Sequence, residues 1–309
     1  MNKILSLLLA VILIFSLTAC AQDTFSENGG YYSFTDDTGS TVVLSKKPEN
    51  TAVLFSSLAD VWVTAGGKVS ITVGETIERG FADENAVLVD SGAGKTVNTE
   101  LLISSEPDFV IYSADIEAQR ETAALLADTD IPIAQFRIES FDDYLRVLKI
   151  FTDITGNENA YKTYGTDIQK KIDSLLSSYS AGEGKTMLFI RAASTAKSTK
   201  AKTAEDHFAA SMLEELGLYN IADNAPVLLD GLSIEEILTA DPDYIFITAM
   251  GDEDAAKSYM DSLLNEDTWQ SLTAVKNGKV YYLPKDMFQF KPNSGWYNAY
   301  EYLKNLLEE

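Results

Sequence analysis

One pattern of residues occurs twice in the chain. Residues 97–112 read "VNTELLISSEPDFVIY" and residues 232–247 read "LSIEEILTADPDYIFI". At one constant spacing the two segments align Glu100 with Glu235, Pro107 with Pro242, and Asp108 with Asp243. In each segment, Pro-Asp ends a helical pattern and precedes a wholly apolar stretch that is typical of a buried strand. The repeat predicts that the chain folds as two similar units.

Short apolar runs alternate with helical patterns in both halves of the chain. The runs include "TAVLF", "SITVG" and "DFVIYSA" in the first half and "KTMLFIRA", "DYIFITA" and "KVYYLP" in the second. Alternating strands and helices are typical of a mainly parallel sheet with flanking helices. Between the halves, apolar residues recur at helical spacing, with one break near Gly156.

These patterns predict an α/β protein of two similar lobes joined by a helix. We expect the N-terminal lobe over residues 31–156, an inter-lobe helix over residues 157–182 and the C-terminal lobe over residues 183–309. Each lobe then has ~100 to 150 residues, enough for a core of its own.

The first 19 residues have the pattern of an export signal. Lys3 precedes an apolar run from Ile4 to Phe15, which is shorter than the ~20 residues that a membrane-spanning helix needs. Small residues before Cys20 resemble a bacterial lipobox, which predicts lipidation of Cys20 and anchoring at the outer surface of the cell membrane. Residues 20–30 are polar and are expected to form a flexible tether. The alternative is an ordinary secretory signal with a spare cysteine.

The charge of the chain restricts its partners. There are 24 basic and 47 acidic residues, a net charge of −23 at pH 7. Nucleic acid is not expected as a partner, because its binding depends on cationic contacts to phosphate. An anionic ligand requires a local basic patch that reverses the field of the whole chain.

Several segments, in this order and spacing, resemble one known family. They are "DDTGSTVVL", "SSEPDFVIYSADI", "FDDYLRVLKIFTDITG", "MLEELGLYNIADN", "LSIEEILTADPDYIF" and "NGKVYYLPKDMFQFKPN". The chain resembles the substrate-binding lipoproteins of ABC importers for iron chelates, haem and cobalamin. This resemblance implies two Rossmann-like lobes bridged by a long helix, a ligand held in the cleft between them, and the permease and its ATPase as partners. It also implies a monomer without enzyme activity or a cofactor, with iron carried only inside the bound chelate.

The resemblance gives a role to the repeated glutamates. In the family, one glutamate on each lobe docks into an arginine pocket of the permease, and Glu100 and Glu235 match those positions. Glu236 is a competing candidate. The alternative is that each glutamate only stabilises the first turn of a helix, next to an N-cap at Asn98 or Ser233.

Ligands of open α/β sheets lie beyond the carboxyl ends of the strands. The residues predicted there to bind ligand are Ser56, Ser57, Arg79, Tyr112, Asp115, Arg191, Lys197, Phe288, Phe290 and Lys291. Arg79 and Arg191 are two of only five arginines and favour an anionic chelate; the alternative is that they form surface ion pairs. Lys197 belongs to residues 191–208, which we interpret as either a flap over the ligand or a solvated loop. For the aromatic residues the alternative is core packing.

Residues and motifs that the sequence lacks argue against carriers of bare metal ions and against enzymes. His207 is the sole histidine and Cys20 the sole cysteine, so a carrier of bare zinc or manganese is not expected. No catalytic motif with a nucleophile or phosphate loop occurs. We therefore predict a receptor for a ferric siderophore-like chelate. The alternatives are a cobalamin or haem receptor, a secreted hydrolase with an acidic pair, and a surface sensor without a permease.

Overall fold

The computed structural model describes residues 30–90, 96–180 and 182–308. The predicted export signal, the lipidation site Cys20 and nearly all of the predicted tether lie outside these residues. Within them, no helix combines the length and the apolar character needed to span a membrane.

The N-terminal lobe is built on a parallel five-stranded sheet. The strands of this lobe are β1 Tyr32–Thr35, β2 Thr41–Leu44, β3 Thr51–Val53, β4 Ile71–Thr72, β5 Val87–Leu88, β6 Phe109–Ser113 and β7 Ile133–Phe136. β1 and β2 form an antiparallel hairpin, and the others form the sheet in the order β5-β4-β3-β6-β7. The helices are α1 Ser56–Thr64, α2 Gly74–Glu78, α3 Thr99–Ser104, α4 Glu117–Leu126 and α5 Phe141–Thr155.

A second helical segment follows α5 and leads into the C-terminal lobe. Gly156 ends α5 with a φ of 77°, a left-handed conformation that glycine adopts without strain, which confirms the predicted break. The segment consists of α6 Glu158–Tyr161, a π-helical turn Lys162–Thr166 and α7 Asp167–Ser178. At the π turn, the Tyr144 hydroxyl of α5 donates a hydrogen bond of 2.9 Å to the carbonyl oxygen of Tyr164. α5 and the segment after it are thereby fixed against each other.

The C-terminal lobe repeats the same architecture. Its strands are β8 Thr186–Ala192, β9 Lys200–Ala201, β10 Tyr219–Asn220, β11 Tyr244–Ala249 and β12 Val280–Tyr282. The sheet is parallel in the order β10-β8-β11-β12, with β9 antiparallel to β8. The helices are α8 Phe208–Glu215, α9 Val227–Asp230, α10 Ile234–Ala240, α11 Glu253–Leu264, α12 Asp267–Gln270, α13 Thr273–Lys276, α14 Lys285–Phe288 and α15 Trp296–Glu308. The predicted α/β fold of two separate, mainly parallel sheets is confirmed.

The repeated Pro-Asp pattern has the same geometry in both lobes. The residue before each proline has a positive φ, 52° at Glu106 and 41° at Asp241. Asp108 accepts a hydrogen bond of 2.9 Å from the backbone N–H of Asn50, just before β3. Asp243 likewise accepts one of 2.9 Å from the N–H of Thr186, the first residue of β8. The motif therefore joins the start of one strand to the start of its neighbour, besides ending the helix.

One hydrophobic cluster extends through both lobes. It includes Trp62 and Phe151 of the N-terminal lobe together with Phe189, Phe246 and Trp296 of the C-terminal lobe. Two further clusters pack on the other faces of the sheets. Because close-packed side chains resist displacement, this shared core restrains the motion of one lobe relative to the other.

Candidate functional site

The carboxyl ends of the two sheets supply the residues at which the lobes meet. We call this contact the inter-lobe seam. It consists of Ser57, Asp60, Arg79 and Glu139 from the N-terminal lobe and Phe290, Lys291 and Asn293 from the C-terminal lobe.

Asn293 connects the lobes through a buried side chain. Its Nδ2 donates hydrogen bonds of 2.8 Å to the carbonyl oxygen of Ser57 and to Oδ2 of Asp60. Burial raises the pKa of Asp60, and the hydrogen bond from Asn293 opposes that rise. Asn293 has a φ of 50°, a conformation that asparagine tolerates better than most residues. This contact fixes the start of α1 against the turn before α15.

Arg79 lies between aromatic rings from the two lobes. Its guanidinium is 4.9 Å from the centre of the Phe81 ring and 4.1 Å from that of Phe290. Its Nη1 donates a hydrogen bond of 2.8 Å to Ser56 Oγ and a longer one of 3.4 Å to Ser57 Oγ. Burial lowers the pKa of Arg79, but the guanidinium stays protonated at neutral pH. The structure thus brings four predicted site residues, Ser56, Ser57, Arg79 and Phe290, together around one cation.

Lys291 forms an ion pair across the seam. Its Nζ lies 2.6 Å from Oε2 of Glu139 and 4.9 Å from the centre of the Phe208 ring. The Lys291 side chain is 17% exposed and that of Glu139 39% exposed, so water reaches the pair. Such a pair can exchange one anionic partner for another at small free-energy difference.

Further cations surround His207 in the C-terminal lobe. Burial, with the charges of Lys291, Arg191 and Lys202, lowers the pKa of His207 to about 3. Burial and Arg191 likewise lower the pKa of Lys202. Among the described residues, neither Arg191 nor Lys202 has an ion pair, and the buried Nε of Arg191 has no hydrogen-bond partner. Positive charge is therefore concentrated here, with Asp206 as a nearby carboxylate that acts on Lys202 and opposes the fall of its pKa.

The neutral His207 has a structural task. Its Nδ1 accepts a hydrogen bond of 3.2 Å from the backbone N–H of Ala209 and so caps α8. Its ring packs between Phe189 and Phe208. A histidine in this state is a poor candidate for an axial ligand of haem. No group of three or more His, Cys, Asp and Glu side chains in the described parts of the chain is placed to hold a metal ion.

The other predicted site residues lie apart from the seam. Tyr112 and Phe288 are fully buried in hydrophobic cores, and burial raises the pKa of Tyr112 far above its usual range. Asp115 lies beyond β6 and pairs with Arg137, with 2.5 Å between Nε and Oδ1. Lys197 is exposed on the short 3-10 turn Ala196–Ser198.

Within residues 191–208, which we interpreted as a flap or a solvated loop, residues 191–201 form a hairpin whose tip at residues 194–198 is exposed, as in a solvated loop, and whose ends are paired. β9 pairs with β8, placing Lys200 opposite Arg191. The buried Thr199 hydroxyl accepts a hydrogen bond from the N–H of Ala193 and donates one to its carbonyl oxygen, both of 3.0 Å. This pairing fixes the position of Arg191 and Lys200. The sequence did not predict the pairing, because the Ser/Thr/Ala-rich segment has no pattern typical of a strand.

Sequence reasoning missed Asp60, Phe81, Glu139 and Asn293. Glu139 and Asn293 act only through contacts with the opposite lobe, so no local pattern marks them. Phe81 lies two residues after Arg79 and is recognisable only once Phe290 is known to cover the other side of the guanidinium. The one available signal was Pro-Asn at 292–293, which is typical of a turn.

Glu100 and Glu235 are exposed residues in the first turns of α3 and α10. A helix that precedes a parallel strand runs antiparallel to it, so these first turns lie at the carboxyl edge of each sheet. The Asn98 side chain accepts a hydrogen bond of 3.0 Å from the N–H of Leu101 and caps α3, whereas the Ser233 side chain makes no such bond at α10. Both glutamates thus lie on the side of the molecule where the strands end.

Two α/β lobes that meet along a seam of charged, polar and aromatic side chains are the architecture of a two-lobe binding protein. Residues 52–287 match the family described as periplasmic binding protein, and the chain belongs to this family. Proteins of the family are extracytoplasmic substrate-binding components of transporters. No curated protein sequence matches the chain significantly.

Several solved structures share the fold. The petrobactin-binding protein YclQ of Bacillus subtilis is 18% identical, with a TM-score of 0.71 over 90% of this chain and 98% of that one. SirA of Staphylococcus aureus, solved with staphyloferrin B, is 17% identical, with a TM-score of 0.66 over 89% and 97%. The vitamin B12-binding protein BtuF of Vibrio cholerae is 18% identical, with a TM-score of 0.66 over 85% and 97%.

Proposed function

We propose that this chain captures an anionic ferric chelate between its lobes and delivers it to the permease of an ABC importer. The chain acts at the outer surface of the membrane, held by a lipid on Cys20. It binds its ligand without turnover. Similar structures that bind petrobactin and staphyloferrin B support this class of ligand, whereas the similar structure that binds vitamin B12 supports the cobalamin alternative.

The positive charge around His207, next to the seam, is the observation that carries the proposal. Arg191, Lys202 and Lys291 gather there in a chain of net charge −23. Arg79 adds a cation from the other lobe, near the carboxylates of Glu75, Asp60 and Asp286. Among the described residues, Lys291 has an ion pair with Glu139, Arg191 and Lys202 have none, and Arg79 donates to Ser56 Oγ, which itself donates to Glu75. Anionic oxygens of a chelate satisfy such groups through charge-assisted hydrogen bonds. A neutral corrinoid carries no net negative charge to interact with this concentration of positive charge.

Titration of the purified protein tests the choice of ligand. The chain has three tryptophans, and Trp296 packs against Phe208, next to Lys291. Quenching of tryptophan fluorescence is measured with ferric citrate, ferric desferrioxamine B, ferric 2,3-dihydroxybenzoate, haem and cyanocobalamin. We expect the tightest one-to-one binding with an anionic ferric chelate. Tight binding of cyanocobalamin alone contradicts the proposal.

Docking to the permease is proposed to use Glu100 and Glu235. Two carboxylates at equivalent places of two similar lobes suit bidentate pairing with arginine. Glu100→Ala and Glu235→Ala together are expected to abolish uptake of the labelled ligand by cells while the affinity of the purified protein for that ligand is unchanged. Loss of affinity in the double variant counts against a docking role.

A further inference from the structure

The repeat contains a second exposed position beside each glutamate. At the same spacing that aligns Glu100 with Glu235, Ile103 aligns with Leu238. Both are large aliphatic side chains on the surface, 40% exposed at Ile103 and 37% at Leu238. The residue before each of them, Leu102 or Ile237, is fully buried. α3 and α10 therefore turn equivalent faces to the core and to the solvent.

Each aliphatic residue lies on the same helical face as its glutamate. Residues three apart on a helix are neighbours, with Cβ atoms ≈ 5–6 Å apart. Each lobe thus presents one pair of side chains, a carboxylate and an aliphatic group. Among the described residues, neither Glu100 nor Glu235 has an ion pair. The carboxylates are available to a cation that another molecule supplies.

We propose that Ile103 and Leu238 are the apolar halves of two docking elements, Glu100/Ile103 and Glu235/Leu238. The occupant is the membrane permease, and this inference rests on the proposed function. Because the two elements are copies of one pattern, the permease presents two equivalent sites, each with a guanidinium beside an apolar recess. The same equivalence selects Glu235 over Glu236, since Glu236 aligns with Leu101.

Physical chemistry favours this pairing of side chains. A charged pair at an interface gains strength when apolar neighbours exclude water from it, because the effective dielectric constant falls. An exposed aliphatic group gains by burial in proportion to the area removed from water. The glutamate orients the docking through its ion pair with the guanidinium. The aliphatic side chain excludes water from that ion pair.

Uptake by the source cells tests the inference. The full-length gene is replaced by one carrying Ile103→Ser and Leu238→Ser, and uptake is measured with ⁵⁵Fe supplied as citrate, desferrioxamine B and 2,3-dihydroxybenzoate chelates. Because both positions are on the surface, we expect serine to be compatible with the fold. The control is Val43→Ser with Leu125→Ser, two aliphatic residues on the N-terminal lobe that are 53% and 66% exposed. Surface amount and ligand affinity are measured for each variant.

The outcomes separate this inference from the proposed function. We expect uptake to fall about tenfold or more in the Ile103/Leu238 variant, as for truncation of central interface residues, and to stay unchanged in the control. Unchanged uptake in that variant, with loss in the Glu100/Glu235 variant, overturns the inference and leaves the proposed function standing. If neither variant loses uptake, the docking elements and the docking role of the glutamates are both wrong.

Discussion

Arg79 shows how a single residue can join the two lobes. Its guanidinium is stacked between Phe81 and Phe290 and donates to Ser56, so its orientation is fixed before any ligand arrives. Arg191 projects from the other lobe with a buried Nε that lacks a partner. A ligand that bonds to both arginines satisfies a buried donor and uses a cation that is already oriented.

Substitution of these arginines is expected to weaken an anionic chelate. Arg79→Ala and Arg191→Ala should each reduce the free energy of binding by ~1.5 to 3 kcal/mol, the range for hydrogen bonds to charged groups. Isothermal titration calorimetry with the ferric chelate that binds tightest measures the change. Arg120→Ala is the matched control, because Arg120 is exposed and donates only to the carbonyl oxygen of Ala114. Equal affinity of all three variants and the original chain rules out these contacts.

His207 gives the stability of the fold a pH dependence. Its pKa is lowered from 6.5 to about 3, with burial as the largest cause. Between these two values the unfolded chain binds a proton at this residue and the folded chain does not, so the free energy of unfolding decreases as the pH falls from about 6.5 toward 3. His207→Asn keeps a side-chain acceptor for capping α8 but removes the titration, so its free energy of unfolding should decrease less over this interval.

Urea unfolding at a series of pH values measures the difference between the two proteins. Burial raises the pKa of Glu214 to about 7, so the titration of Glu214 increases the free energy of unfolding as the pH falls. This contribution is present in both proteins and therefore cancels in the difference between them. Parallel pH profiles of the two proteins would show that His207 is not shifted.

At the scale of elements, local signals predicted most of the strands and helices. Pro-Asp marked the starts of β6 and β11, and Gly156 marked the end of α5. The π turn Lys162–Thr166 was not predictable, because it depends on the close approach of Gly165 to Leu145 and Leu148 of α5. β9 was missed because two residues that pair with a neighbouring strand leave no periodic pattern.

The repeated aspartates are expected to stabilise the sheets. Asp108 accepts hydrogen bonds of 2.9 Å from the N–H groups of both Glu49 and Asn50. Asp108→Ala leaves these two donors without their partner and should lower the free energy of unfolding by about 1 to 3 kcal/mol. Asp108→Asn retains one side-chain oxygen as an acceptor, so its free energy of unfolding should decrease less. Urea unfolding compares the three proteins, and a loss that is equal for alanine and asparagine contradicts the account.

At the scale of the whole molecule, the contacts of the seam hold the two lobes together. Arg79, Ser56 and Ser57 were predicted because each follows a strand whose carboxyl end lies at the ligand edge. Glu139 and Asn293 were not, because their partners are more than 150 residues away along the chain. The packing of the shared core decides which residues of the two lobes contact each other. Local sequence patterns do not predict these contacts.

The ion pair across the seam is expected to compete with the ligand. Glu139→Gln frees Lys291 and removes a negative charge from the site, so affinity for an anionic chelate should increase by up to about fivefold, as for a water-accessible ion pair. Glu121→Gln, an exposed carboxylate on α4, is the control for the change in net charge. Fluorescence titration with the anionic chelate measures the affinity of both variants. A decrease in affinity for Glu139→Gln would mean that the pair helps to form the site.

The position of iron in the loaded protein tests the central claim most directly. Crystals grown with the tightest-binding ferric chelate are measured at the iron absorption edge, where anomalous scattering locates the metal. The account predicts one iron between the lobes, with oxygen atoms of the chelate within hydrogen-bond distance of Arg79 and Arg191. Iron in the cavity of about 450 Å³ between α7 and α15, lined by Lys170, Lys171 and Lys304, would contradict it.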